Sequence, residues 1–335
     1  MELRTAILSD LVKHKEMGIL QSEIESHFGF SRAHVSETLS ILVSEGKVIE
    51  RMEGRLLKRV WLTEFYPYPI SGTIRIAMLA SSEYVPFLAS ALSVCTKNKI
   101  TLRFRILKSS YDVMDSLISG STEIALAPFY SQIVYSIVTR KIKILSSIAS
   151  GGSSVFTNEE SLQGNIGTSD TSTMILLSRT FMKTLEKNVE VYDDPHSAIA
   201  SFENGKFKFI TTWEPFCTVL RKKGKYMEPL KYEEALGDIP CCASSYRLNA
   251  SAAERKLFGE IVNEYGKLIE GGMASTKLGE AIEIMSKEMG IQQEIISESL
   301  KSYRFLEGVD RELLMRYMDV LKIPVSMSSI EDMFP

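Results

Sequence analysis

The sequence predicts an α/β protein in which a small helix-and-hairpin unit precedes a two-lobed α/β body covered by C-terminal helices. Three observations lead there. Gln21 to Thr63 reads as a helix, a turn, a capped helix and a basic β-hairpin; from Thr73 strands alternate with helices twice over; and Ser251 to Pro335 is helical in pattern almost throughout. The 335 residues are enough for two or three hydrophobic cores. The expected division is residues 1–64 for the first unit, 65–72 for a linker and 73–335 for the body. Within the body, about 73–155 and 240–335 make one lobe and about 156–239 the other.

In the first unit, Ile7, Leu8 and Leu11 give the stretch Leu3 to Val12 an apolar face that packs in the unit or against a partner chain. Ile24 and Phe28 lie four apart on one helical face, Gly29 supplies a left-handed turn, and Ser31 caps a second helix whose buried stripe is Val35, Leu39 and Leu42. Ser31, Arg32, His34 and Ser36 are left facing outward. Gly46 ends that helix, and Val48 to Arg51 pairs with Leu57 to Leu62 across a turn at Glu53 and Gly54, a hairpin that gathers Arg51, Arg55, Lys58 and Arg59. Hydroxyl and guanidinium groups on the first turns of a second helix reach phosphates and base edges when that helix enters a major groove. These eight residues are therefore the expected DNA contacts, Arg32 foremost. A solvated charged edge is the plainer reading of the hairpin cations. The segment resembles the winged-helix domains of bacterial and archaeal regulators, chiefly over Ser31 to Leu62, and the resemblance implies double-stranded DNA as a partner.

Charge sets a condition on that reading. Lys and Arg number 39 against 42 Asp and Glu, so attraction to phosphate must come from local clustering, and a homodimer presenting two hairpins is expected. No apolar leader opens the chain and no run reaches about 18 apolar residues, so a cytoplasmic protein without a membrane span is expected. Cys95, Cys217, Cys241 and Cys242 lack metal-ligand spacing, and the adjacent pair reads as buried thiols rather than as a disulfide or a sensor of oxidants or thiophilic metals. Neither a metal nor another cofactor is expected. His196 is the only histidine outside the first unit, and no acid, base or nucleophile stands out, so no catalytic residue is assigned and no enzyme is expected.

The linker FYPYPISG carries two prolines that hold it extended. Beyond it, the expected elements are a strand from Thr73 to Ala80, a helix from Tyr84 to Cys95, a strand from Ile100 to Leu107, a helix from Tyr111 to Ser119, and strands from Ile124 to Ala127 and Ile142 to Ala149. The pattern then restarts with a strand from Gly164 to Gly167, a helix from Ser172 to Leu185, a strand from Val189 to Tyr192, a helix from Pro195 to Glu203 and a strand from Phe209 to Thr212. Alternation of this kind predicts parallel sheets. Helices follow from Ala252 to Glu270, Leu278 to Met289, Gln292 to Ser302 and Asp310 to Leu321, with breaks at Gly271, Gly290, Gly308 and Pro324.

The phrases IRIAMLASSEYVPF, SYDVMDSLISGSTEIALAPF, SLQGNIGTSDTSTMILL and FITTWEPF, in that order, together with a terminal SIEDMF, resemble the type 2 periplasmic-binding-protein fold. The resemblance runs from Thr73 to Pro335 and is to the substrate-binding family for nitrate, sulfonates, taurine and thiamine-pyrimidine precursors. It implies a ligand held between two lobes. Ligands of open α/β sheets sit at the carboxyl ends of strands. That rule selects Ser81, Ser82, Glu83, Tyr84, Ser110, Tyr111, Phe129 and Tyr130 in the first lobe. Gly152 and Ser153 lie at the crossing, and Thr168, Ser169, Thr171, Ser172, Asp194, Trp213 and Glu214 in the second lobe.

Trp213 and Tyr84 are expected to sandwich a flat ring, with Glu83 or Glu214 accepting its hydrogen bonds. The hydroxyls from Thr168 to Thr173 at a helix start would suit an anion, although Ser, Thr and Asp cap helices with no ligand present, and Asp170 opposes a bare anion there. The combined expectation is a one-component transcriptional regulator in which a small polar effector in the cleft modulates DNA binding. The alternative is a cytoplasmic enzyme or ligand-binding protein of the same fold, in thiamine-pyrimidine or related metabolism, and a third possibility is a scaffold whose cleft binds nothing.

Overall fold

The computed structural model describes residues 2–158, 164–182, 189–309, 311–321 and 327–335. Contacts divide the chain into one compact unit reaching to Ser71, which takes in Ile118–Thr122, and a second containing Gly72–Leu117 and Glu123–Pro335.

The first unit comprises α1 (Leu3–His14), a short β1 (Ile19–Leu20), α2 (Gln21–Phe28), α3 (Arg32–Ser44) and a hairpin of β2 (Val48–Glu53) and β3 (Leu57–Leu62). Gly29 ends α2 at φ 66°, a left-handed conformation that costs a side-chain-bearing residue energy. Ser31 then caps α3, its side-chain oxygen accepting the His34 amide. Helical spacing brings Val35, Leu39 and Leu42 to one face, and all three are buried in a cluster with Ile24 of α2 and Leu3, Ile7 and Leu11 of α1. The apolar face of α1 is thus spent inside its own unit. β3 is the central strand of a three-stranded antiparallel sheet, with β2 on one side and β1 on the other. A two-residue strand leaves no periodicity to read, and β1 was not expected. Among the linker residues, Phe65 packs on the same core, and Tyr66 and Tyr68 set their rings edge-on to Trp61 at 5.4 and 6.4 Å.

The body opens with β4 (Thr73–Leu79), α4 (Val85–Asn98), β5 (Thr101–Leu107), α5 (Ser110–Ser119), β6 (Ile124–Pro128), α6 (Phe129–Thr139) and β7 (Ile142–Gly151). A second lobe follows, built from β8 (Ser153–Thr157), β9 (Ile166–Ser169), α7 (Thr173–Met182), β10 (Val189–Tyr192), α8 (Pro195–Glu203), β11 (Phe209–Trp213), α9 (Phe216–Lys223), β12 (Met227–Lys231) and α10 (Tyr232–Leu236). The chain returns to the first lobe through β13 (Cys242–Arg247), α11 (Ala252–Glu270), α12 (Thr276–Met289), α13 (Gln293–Ser299), β14 (Tyr303–Phe305), α14 (Arg311–Leu321) and α15 (Met327–Glu331). The part of the expected α7 beyond Met182, Asp310 at the expected start of α14, and Pro324 lie outside the described residues.

The first lobe holds a six-stranded sheet in the order β14-β7-β13-β6-β4-β5, the second a five-stranded sheet in the order β10-β9-β11-β8-β12. Both are mixed, which corrects the expectation of parallel sheets: β13 runs antiparallel to β6 and β7, and β8 antiparallel to β11 and β12. β8 and β13 are the strands on which the chain enters a lobe from the other one, so they cross their sheets in the reverse sense to strands fed by a local helix. The helix α6 was also missed. Its sequence FYSQIVYSIVT is rich in aromatic and β-branched residues of strand-like propensity, and the burial of Phe129, Ile133 and Gln132 in the first lobe overrides that preference.

The crossing from β7 to β8 depends on Gly152. Its φ is 70°, and a Cβ there would stand 2.0 Å from the Tyr303 ring. Only glycine lets the two lobes approach at this point.

Candidate functional site

The two lobes are bonded to each other across their facing edges. Trp213 Nε1 donates to the carbonyl of Ala80 at 2.8 Å, the Ser82 amide donates to the Glu214 carbonyl at 3.2 Å, and Ser110 Oγ and Thr171 Oγ1 are 2.8 Å apart. Thr171 has φ 45°, an unusual conformation for a β-branched residue, at the point where it meets Ser110.

Beside these contacts lies a cavity of about 440 Å³. The first lobe lines it with Leu79, Lys108, Ser109, Ser110, Tyr111 and Asp112. The second contributes Ser169, Asp170, Thr171, Tyr192, Asp193 and Trp213. Lys108 is the sole cation among these, against the carboxylates of Asp112, Asp170 and Asp193. Three aromatic rings share the wall, and Tyr111 is 61% exposed. Trp213 and Tyr192 stack on each other, with ring centroids 6.3 Å apart and planes inclined by 20°. Tyr192 is held in place by a hydrogen bond of 2.5 Å to the Thr211 carbonyl.

Of the residues expected in the cleft, Ser110, Tyr111, Ser169, Thr171 and Trp213 line this cavity. Ser81, Glu83, Tyr84, Ser153 and Ser172 line a smaller adjoining one of about 20 Å³, which also meets Trp213, Ser169, Cys241 and Cys242. The remainder have other partners. Phe129 is fully buried and packs edge-on to Tyr317 at 5.0 Å, because α6 turns it into the first lobe. Tyr130, beside it on α6, lines neither cavity. Ser82 accepts the Ser299 hydroxyl at 2.8 Å, Thr168 accepts that of Thr211 at 2.8 Å, and Asp194 caps α8 through the His196 and Ser197 amides.

Glu214 is 0% exposed and bonded to Arg221 at 2.5 Å, the Thr218 amide at 2.9 Å and Ser302 Oγ at 2.8 Å. Both of its oxygens have partners inside the protein, and Glu214 lines neither cavity. The expected sandwich of a ring between Trp213 and Tyr84 is likewise replaced. Tyr84 is fully buried with its hydroxyl donating to Cys242 Sγ at 3.1 Å, and Trp213 stacks on Tyr192 instead. Lys108, Tyr192 and Asp193 were overlooked although they end or directly follow β5 and β10, where the strand-end rule points.

At the floor of the cleft, Cys241 Sγ donates to Glu83 Oε2 at 2.9 Å and Cys242 Sγ to Glu83 Oε1 at 3.0 Å. Burial raises the Glu83 carboxyl above its ordinary value, partly offset by these thiols and by Ser81. Burial likewise pushes the Cys242 thiol up to about 12.

In the first unit, Ser31 serves as a cap, Arg32 is 85% exposed with Glu25 at 4.0 Å, and His34 is exposed with its ring 5.5 Å from Phe30. Ser36 is half-buried on the same helix. The hairpin cations are more engaged than expected: Lys58 pairs with Glu50 at 2.9 Å, and Arg59 with Glu53 at 2.8 Å and the Met17 carbonyl at 3.1 Å. Arg51 lies 4.0 Å over the Tyr68 ring, and Arg55 is exposed at the hairpin tip.

No protein-family model matches the chain, and no curated protein matches it. Solved structures do. The ligand-binding component of an ABC-type import system from Staphylococcus aureus, with zinc bound, is 17% identical over 78% of this chain and 96% of that one, with a TM-score of 0.65. The periplasmic aliphatic sulphonate binding protein SsuA from Escherichia coli is 12% identical, covering 76% and 86%, at 0.56. The periplasmic nitrate-binding protein NrtA from Synechocystis PCC 6803 is 13% identical, covering 78% and 85%, at 0.59. At these identities the likeness establishes the fold alone. The body has the two-lobed mixed α/β fold of periplasmic binding proteins.

Proposed function

We propose that the body binds a small amine-bearing metabolite in the cleft between its lobes. The observation that carries this is the lining of the 440 Å³ cavity, which Asp112, Asp170 and Asp193 share with the rings of Tyr111, Tyr192 and Trp213. Carboxylates repel a nitrate or a sulfonate, the ligands named for two of the fold neighbours. A protonated amine gains from the carboxylates and from the ring faces together, and Lys108 can meet an acidic group on the same molecule. Binding of this kind requires no turnover, in keeping with a fold shared with substrate-binding proteins.

Thermal unfolding of the full chain against aminopyrimidines, amino acids, polyamines, nitrate and alkanesulfonates tests the proposal. A ligand specific to the folded state raises the melting temperature with concentration. The expected result is a rise with one of the amines and none with the anions. A rise with nitrate or sulfonate alone would reverse the assignment.

The first unit supports a second element of this reading. With α3 capped by Ser31, Arg32 exposed and a basic hairpin following, it suits a winged helix-turn-helix that lays α3 in a major groove. The protein would then be a cytoplasmic regulator whose cleft ligand adjusts DNA affinity. Because the hairpin cations are largely paired within the unit, a homodimer would be needed for useful occupancy. Anisotropy of labelled duplexes at about 50 mM salt, with and without the amine that stabilises the chain, tests this part separately. Equal, sequence-blind binding by the chain and its Arg32→Ala variant would remove it.

A further inference from the structure

The cluster at the cleft floor has the composition of a metal site. Glu83 follows β4, whereas Cys241 and Cys242 enter β13, and the side-chain oxygen of the first and the two sulfurs all lie within 4.8 Å of one another. All three residues are at most 5% exposed. A tetrahedral ion with bonds of about 2.3 Å to sulfur and about 2.0 Å to oxygen spaces its ligand atoms roughly 3.5 to 3.8 Å apart. The present S···O separations, 2.9 Å to one carboxylate oxygen and 3.0 Å to the other, are about 0.5 to 0.6 Å shorter than the S···O spacing of roughly 3.5 Å, so side-chain rotation must widen them to admit the ion.

Three further features distinguish this cluster from thiols packed as hydrophobes. Each sulfur lies within hydrogen-bond distance of a different oxygen of one carboxylate, Cys241 Sγ being also 3.1 Å from the Ala149 carbonyl. Outer partners are already in position: Ser81 Oγ donates to Glu83 Oε1 at 3.0 Å, and Tyr84 donates to Cys242 Sγ at 3.1 Å. Lastly, the adjoining cavity of about 20 Å³ has room for roughly one water-sized body, so a fourth ligand can reach an ion there from the cleft.

We propose that Cys241, Cys242 and Glu83 bind one thiophilic divalent cation of the zinc class at the base of the cleft, with the fourth position open to the small cavity. On binding, the two thiol protons pass to solvent and no electron is transferred. This inference is independent of what fills the larger cavity. Sequence spacing could not disclose it, because the two sulfurs meet the Glu83 carboxylate across 158 and 159 residues.

The test uses the full chain, reduced and stripped of metal, with cobalt(II) as the probe. One equivalent should bind with a near-ultraviolet thiolate-to-cobalt band, and zinc(II) should displace it. X-ray absorption of the zinc-loaded protein should count two sulfurs at about 2.3 Å, which requires no variant. Cys241→Ala and Cys242→Ala should each halve the band, Glu83→Gln should weaken binding at least tenfold, and Tyr84→Phe about tenfold as a lost outer partner. Binding without the thiolate band, a band that survives the double cysteine replacement, or no binding by a chain with an intact thermal transition would each overturn the proposal.

Discussion

The indole nitrogen of Trp213 donates to the carbonyl oxygen of Ala80 at 2.8 Å, so the end of β11 in one lobe is bonded to the residue just past β4 in the other. The same ring stacks on Tyr192 and lines both cavities. Trp213→Phe keeps an aromatic ring and removes the cross-lobe donor, a loss of about 0.5 to 1.5 kcal/mol. Affinity for the cleft ligand should fall about 3- to 10-fold, and the small-angle scattering radius of the unliganded chain should rise as the lobes part. An unchanged radius and affinity would mean the bond does not govern closure.

Gly152 gives a sharper test of the crossing. Alanine there meets the Tyr303 ring and a backbone at φ 70°, so overpacking and strain act together. Gly152→Ala should cost at least about 2 kcal/mol in urea unfolding, whereas Gly290→Ala, also at positive φ but with no atom within 4 Å of its added Cβ, should cost less.

Arg221 binds Glu214 at 2.5 Å and Glu228 at 2.6 Å. Arg221→Met leaves the Glu214 carboxylate buried without its counter-ion, held only by the Thr218 amide and Ser302 Oγ, which should cost about 2 to 4 kcal/mol; the figure is kept below the full buried-pair range because Arg221 is 33% exposed. The pH dependence follows from Glu228. Burial raises its carboxyl, but bonds from Arg221 and Ser154 outweigh burial and hold it below the ordinary 4.5. A depressed carboxylate contributes stability above 4.5 that is lost as pH falls through the folded value. Glu228→Gln should therefore flatten the acid limb of stability against pH below that point, measured by urea titration. A limb of unchanged slope would show that other carboxylates dominate it.

In the first unit, packing and surface roles should separate. Leu39→Ala empties part of the core shared by α1, α2 and α3 and should cost about 2 to 5 kcal/mol. Arg32→Ala, at a side chain 85% exposed, should leave the melting temperature unchanged and weaken duplex binding about tenfold. Arg59→Ala should lower stability more than it lowers DNA affinity, since Arg59 is committed to Glu53 and the Met17 carbonyl.

The legible elements share one property. The Ser31 cap, the Gly29 turn, the Val35–Leu39–Leu42 stripe and the helix Ala252–Glu270 each arise from interactions within a few residues along the chain, and all occur where periodicity and capping place them. α6 was missed because its local propensity points to a strand while its burial demands a helix. At the cleft the strand-end rule found Trp213, Thr171 and Tyr111, yet it gave Glu214 and Phe129 a role that ion pairing and core packing had already taken.

By itself the sequence determined many of the strands and helices, the two-lobed α/β class of the body and several of the strand ends from which the cleft is built, since these follow from local periodicity and turn chemistry. Only the tertiary structure decided the sense of β8 and β13, the acidic and aromatic character of the cavity, and the meeting of Glu83 with Cys241 and Cys242. Those features depend on which groups, far apart in the chain, satisfy one another's charge and hydrogen bonds once water is excluded, and no spacing along the chain encodes that.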